Sequence, residues 1–219
     1  MKLLIATHNQ GKLREYRDLC YALLSGSALE ITSLSEQGID VEPEETGETF
    51  EANAILKANA FAACSRLPTL ADDSGLEIDA LGGAPGVHSA RYGGTGRGQD
   101  ASRIDQVLSQ MRDVPWPQRT ARFRCVVAVA VPGRPVETAS GAVEGYIGWY
   151  PQGEHGFGYD PIFFLPEFDC TMAQLDPETK NRISHRARAI YAALPIIRRA
   201  LLNATGSKGD SPMLQTGQR

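Results

Sequence analysis

The run from Arg119 to Val131 sets the tightest limit on what this chain can fold into. It begins by alternating and ends as an unbroken apolar series, Cys125-Val-Val-Ala-Val-Ala-Val131. Alternation marks a strand with one wet face, whereas continuous apolarity marks a strand covered on both. A sheet with such a strand needs packing layers above and below it, as in an α/β protein. Pro132-Gly133 supplies a turn and Pro135 to Ile147 returns as a strand, so an antiparallel hairpin is expected.

The flanking patterns supply the covering helices. Lys2 to Ala6 reads as a buried first strand, followed by Thr7-His8-Asn9-Gln10-Gly11 and a helix from Lys12 with Leu13, Tyr16, Cys20, Leu23 and Leu24 on its apolar face. Glu30 to Ser33 is a second short strand. Thr49 to Ala63 forms the next helix, striped by Phe50, Ala54, Ala58 and Phe61, with Asn53 and Lys57 four apart on one face. Glu77 to Leu81 continues as strand. Gln99 to Met111 makes a third helix, ended by Pro115-Trp116-Pro117. Asp176 to Thr179 reads as a turn. A last helix, capped by Ser184, presents Ala187, Ile190, Tyr191, Leu194 and Ile197 to the core, with Pro195 marking a kink or a fresh start. Gly93, Gly94, Gly96 and Gly98 form a surface loop, and residues from Gly206 onward read as a mobile tail. No repeat or linker divides the chain, so one domain is expected over residues 1–205, with a tail at 206–219.

Composition narrows the function. A net charge of −4 argues against gripping nucleic acid or an anionic membrane. No window approaches the roughly 20 apolar residues of a membrane span, and the N-terminus lacks the apolar core of a signal peptide. Cys20, Cys64, Cys125 and Cys170 are scattered, without a CxxC pair, which suits a reducing compartment. A soluble, cytoplasmic protein is expected.

Several separated segments carry chemistry. LADDSGLEIDALGGAPGVHSAR, Leu70 to Arg91, sets Asp72 and Asp73 after a short strand and follows them with a Ser74-Gly75 turn and glycine-rich backbone. Paired carboxylates beside glycine suit Mg²⁺ and the phosphate it carries, although those residues also make an ordinary solvated turn. The loop from Thr7 to Lys12 offers a helix N-terminus and a lysine to an anion. It lacks the GxxxxGK[ST] pattern of a P-loop. Glu42, Glu44, Glu45 and Glu48 form an acidic loop, either metal-ligating or merely solvated. Lys57 and Lys180 add positive charge for a polyphosphate. GEHGFGYDPIFF, Gly153 to Phe164, and His185-Arg186 could frame a base by stacking and close backbone approach, or simply lead into a core strand.

Together these segments resemble the inosine triphosphate pyrophosphatase family. The matching stretches are ATHNQGK (Ala6–Lys12), EETGETFEANAILKA (Glu44–Ala58), ADDSGLEIDALGGAPGVHSARY (Ala71–Tyr92), GFGYDPIF (Gly156–Phe163) and KNRISHRARA (Lys180–Ala189). The resemblance implies an elongated, twisted mixed sheet flanked by helices, with the active-site cleft between two lobes. It also implies a homodimer and hydrolysis of non-standard purine nucleoside triphosphates. Glu45 and Asp73 would bind Mg²⁺, with Asp73 also the base for water. Thr7, His8, Asn9, Gln10, Gly11 and Lys12 would hold the triphosphate. Ser74 would touch substrate, and Lys57 and Lys180 would neutralise phosphate. Phe157, Gly158, Tyr159 and Asp160, with His185 and Arg186, would enclose purine and sugar. Gln174 departs from the family's usual Glu, and His8 stands where the pattern is free. Other modified nucleotides, or binding without catalysis, are the alternatives on the same fold.

Overall fold

The computed structural model describes residues 2–24, 29–94 and 99–206. Seven strands form one sheet in the order β2-β1-β3-β4-β5-β6-β7. In chain order the elements are β1 (Lys2–Ile5), α1 (Gln10–Leu23), β2 (Glu30–Ser33), α2 (Phe50–Ser65), β3 (Thr69–Ile78) and α3 (Asp100–Gln110). There follow β4 (Thr120–Ala130), β5 (Glu137–Ile147), β6 (Phe163–Leu165), β7 (Cys170–Thr171), α4 (Pro177–Ile183) and α5 (His185–Gly206). β1 pairs in parallel with β2 and β3, and these pairings are bridged by α1 and α2, as parallel neighbours require. From β3 to β7 every pairing is antiparallel. β4 lies at the centre of the sheet, as its apolar run demands.

Side-chain parity divides the packing. Leu3, Ile5, Leu70, Cys125, Val127 and Val129 face α1 and α5 in one apolar cluster. Leu4, Ala71, Ala128 and Ala130 face α2 on the other side. A further cluster gathers Leu76, Ile78, Phe123, Val143, Ile162 and Phe163 with α3. Leu3, Leu4 and Ile5 are fully buried, and each such side chain contributes about 1.5–3 kcal/mol on burial. Along one face of β3, Leu70 belongs to the first cluster and Leu76 to the third, with Asp72 and Ser74 between them. The polar site therefore occupies the gap between two apolar bodies.

Several expectations change. Asp72 to Gly75 is no turn: β3 runs unbroken through it, with Asp72 opposite Val127 and Gly75 opposite Arg124. Asp79 to Leu81 leaves the strand as a 3₁₀ turn. Asp176 does not make an isolated turn but caps α4, accepting from Thr179 N at 2.9 Å, with Pro177 in the first helical turn. Tyr191 faces solvent, while Ala187, Ile190, Ala193 and Ile197 hold the core. α5 also runs through Pro195 as one helix instead of starting afresh there, without the hydrogen bond a proline cannot donate to the Tyr191 carbonyl. Gly96, Gly98 and residues 207–219 of the expected tail lie outside the described residues.

Candidate active site

β1 ends at Ile5, whereas β3 continues for eight residues beyond its last partner, Leu70. Beyond that point, among the described residues, the edge of β3 turned toward β1 has no strand beside it until Glu77 bridges Pro85. The chain leaving β1 swings off into α1, and the resulting crevice lies at the switch point where ligands of α/β sheets bind. A cavity of about 630 Å³ opens there, lined by the Thr7–Lys12 loop, the Asp72–Gly75 segment and the Phe157–Asp160 loop. Its size suits a small molecule.

One wall is the start of α1. Asn9 caps the helix by accepting from Lys12 N at 3.0 Å, and Thr7 Oγ1 accepts from Asn9 N at 3.2 Å. Gln10 and Gly11 form its first turn, so the helix begins two residues earlier than the pattern suggested. His8 is turned toward the acidic loop, with Nε2 3.2 Å from the Val41 carbonyl and its ring edge-on to Phe61.

The two carboxylates diverge because neighbours on a strand face opposite ways. Asp72 points to the α1 and α5 side, 2.8 Å from Lys12 Nζ and 4.0 Å from Arg186. Burial would raise its pKa, but Lys12 and Arg186 hold it well below the usual carboxylate range. Behind it Cys125 approaches at 3.8 Å, its thiol pushed up to about 12 by burial and so neutral. Asp73 points to the α2 side, accepting from Lys57 Nζ at 3.0 Å and Asn53 Nδ2 at 3.2 Å. Burial raises its pKa in spite of Lys57. Lys57 also reaches Glu45 Oε1 at 2.7 Å, and Arg91 reaches Glu45 Oε2 at 3.2 Å. Although burial opposes it, Lys57 lowers the less buried Glu45.

These donors fit a hard divalent cation. Glu45 and Asp73 come from separate segments, are all-oxygen, and converge on one ammonium, so their negative charge already meets at a point. Among the described residues no three His, Cys, Asp or Glu gather into a full cage. Mg²⁺ needs none, because it takes one or two carboxylates and completes its shell with waters and phosphate oxygens.

The opposite wall is a chain of ion pairs. Lys180, on α4, lies 2.7 Å from both Asp160 Oδ2 and Glu15 Oε1. Arg186, at the start of α5, pairs with Glu15 and donates to Ser74 Oγ at 3.2 Å. Burial disfavours the Lys180 charge, but Asp160 and Glu15 outweigh it and raise the pKa. Phe157 lies beneath both cations, 5.0 Å from Lys180 Nζ and 5.5 Å from Arg186 Cζ. Gly158 N donates to Asp100 Oδ2 at 2.7 Å, and Tyr159 Oη to the Ser89 carbonyl at 2.9 Å. His185 stacks on Phe123 with centroids 4.8 Å apart, and burial keeps its pKa well below 6.5.

Every residue expected at the site therefore lines or abuts one cleft. Gln174 does not: its Oε1 accepts from Thr171 N at 2.8 Å as a local cap, a contact Glu would also make. Glu15, Asn53, Arg91 and Asp100 were not among the expected site residues. Glu15 stood three residues after Lys12, hence on the same helix face, and Asn53 shared a face with Lys57.

Fold and site together define an α/β protein with a switch-point cleft lined by paired carboxylates, lysines and an arginine. The comparisons with known proteins narrow this class. The Ham1 family model matches residues 3–196, and the chain belongs to the Ham1 family. A Bacillus subtilis protein named dITP/XTP pyrophosphatase is 51% identical over 187 residues, covering 85% of this chain and 92% of that one. One of the same name from Desulforamulus reducens is 46% identical, covering 93% and 98%. The structure of a HAM1 protein from Coxiella burnetii superposes with a TM-score of 0.80 at 40% identity, covering 91% of this chain and all of that one.

Proposed function

We propose that this chain hydrolyses the triphosphates of non-standard purine nucleosides, inosine, deoxyinosine and xanthosine, to monophosphate and pyrophosphate. Such turnover removes them before they enter DNA and RNA. The observation that carries the reading is Asp73, a buried carboxylate held between Lys57 and Asn53 with Glu45 beside Lys57. The names of the relatives from Bacillus subtilis and Desulforamulus reducens support the substrate class.

Glu45 and Asp73 would hold Mg²⁺, which supplies neutralising charge to the phosphate oxygens when bound. Asp73 takes a proton from water as the water oxygen bonds to the α-phosphorus. The bond from the α-phosphorus to the oxygen that bridges to the β-phosphate breaks, and pyrophosphate leaves with that oxygen and the bonding electron pair. The Asp73 pKa, raised by burial, brings the base nearer the working pH. Thr7 through Lys12 seat the phosphates at the α1 N-terminus, and Lys57 and Lys180 add charge. Ser74 touches substrate from the strand. Phe157 to Asp160, His185 and Arg186 enclose the purine. Family resemblance implies that a 6-oxo group would meet donors there, whereas a 6-amino group would leave donors facing donors, which is costly when buried.

The working unit we propose is one two-lobed domain over residues 1–205, acting as a cytoplasmic homodimer. Exposed Trp116, Trp149 and Tyr150 support self-association. No described helix is long and apolar enough to cross a membrane. The test is pyrophosphate release with Mg²⁺ from inosine, xanthosine, guanosine, adenosine and thymidine triphosphates. Preference for the first two, with monophosphate as co-product, is expected; equal rates on all five would overturn the reading.

A further inference from the structure

The first turn of α1 carries a glycine with no backbone reason to be one. The φ of Gly11 lies outside the left-handed region, and glycine inside a helix is less favourable than alanine. Its neighbour explains it. A Cβ built on Gly11 would stand 2.6 Å from Phe157 Cδ1 and 2.9 Å from Cε1. It would also crowd the capping Asn9 Oδ1 at 3.1 Å. The ring has little freedom to retreat. Lys180 and Arg186 hold it from the cation side, Phe157 N donates to Asp160 Oδ2 at 2.9 Å, and Gly158 N is tied to Asp100.

We propose that Gly11 is a positioning residue for base recognition: its bare backbone is the seat of the Phe157 ring, joining the phosphate-gripping loop to the base-enclosing wall. The inference deepens the reading of the cleft as a purine nucleotide site and rests on it. A side chain at residue 11 displaces the wall, whereas toward the phosphate loop its nearest contact is Asn9 Oδ1, at 3.1 Å, relieved by a few tenths of an ångström. What residue 11 offers phosphate is its backbone N–H, which alanine keeps. Phosphate affinity and base affinity are thus separable at this one position.

The test compares wild type, Gly11→Ala, Phe157→Ala, Gly11→Ala with Phe157→Ala, and Gly11→Ala with Phe157→Leu. Each is titrated at equilibrium with inosine monophosphate and, separately, with tripolyphosphate. Gly11→Ala should weaken inosine monophosphate about tenfold, as overpacking does, and leave tripolyphosphate within about twofold. On the Phe157→Ala background it should change neither ligand beyond about twofold, and Phe157→Leu, whose side chain is smaller, should restore part of the loss. An equal loss for tripolyphosphate would assign Gly11 to phosphate binding and overturn the proposal. So would additive losses in the double variant. Melting temperatures separate misfolding from misplacement: overpacking should lower that of Gly11→Ala, and the extra loss should vanish on the Phe157→Ala background. Every variant compared should be folded at the titration temperature. Wild-type affinity for adenosine monophosphate equal to that for inosine monophosphate would sink the substrate reading alone, because the coupling is read on either nucleotide.

Discussion

Asp72 and Asp73 are adjacent in the chain and belong to opposite sides of the sheet: Lys12 holds the first, Lys57 and Asn53 the second. They should therefore fail differently. Asp73→Asn keeps the shape and removes the proton acceptor, so kcat should fall by about 10²–10⁴ while nucleotide affinity changes little. Asp72→Asn strips the charge from between Lys12 and Arg186, and leaving buried cations short of a partner costs about 3 kcal/mol. Its signature should be a lower urea midpoint. If Asp73→Asn turns over normally, or if Asp72→Asn alone abolishes turnover at full stability, the assignment of the base is wrong.

Chelation should silence the protein without unfolding it. Lys57, with Arg91 on Glu45, already offsets the charge of Glu45 and Asp73, and neither carboxylate belongs to an apolar cluster. Addition of EDTA is expected to stop pyrophosphate release and to move the melting temperature of the nucleotide-free protein by less than about 2 °C, since no large stability term is linked to the metal. Cooperative unfolding on chelation would mean the metal is structural.

His185 makes stability depend on pH. Burial, then Arg186 and Lys180, keep it neutral in the folded protein well below 6.5. The unfolded chain binds a proton at that position near pH 6.5 that the folded protein refuses, so stability falls as pH drops through 6.5. From pH 7 to 5 this one group should remove about 2 kcal/mol. Urea titrations of wild type and His185→Phe, which can keep the stack on Phe123, should diverge by that amount. Parallel curves would show that His185 protonates freely when folded.

Gly75 is the second close approach. A methyl there would press on the Gly86 carbonyl, Ser89 Oγ and the Phe50 ring, and a backbone carbonyl cannot swing aside. Gly75→Ala should lose about 1–3 kcal/mol, and Ser89→Ala should relieve it only in part. Thermal melts of the single and double variants check both statements.

The chemistry was more legible in the sequence than the geometry carrying it. Asp, Ser and Gly are turn formers, so Asp72 to Gly75 read as a turn. That preference is overridden by the ten-residue ladder to β4, a partner strand more than 40 residues away in the chain. α4 had its signals in Asp176 and Pro177, but a helix of seven residues shows too little periodicity to read. Glu15 was visible as a charged residue on α1. Its partners, Lys180 and Arg186, arrive from the far end of the chain, and nothing local announces them.

The unequal lengths of β1 and β3 have a consequence outside catalysis. The stretch of β3 past Leu70 is an open strand edge, a template on which another chain could add itself. The segment over Gly75 guards its far end, where Ser89 Oγ accepts from Leu76 N. The middle must stay open to admit a ligand, and there Lys12, Asp72, Asp73 and Lys57 stand in the way. The charges that would receive a nucleotide thus also keep the molecule from polymerising through its own entrance. Variants that neutralise them should be expected to lose solubility as well as activity.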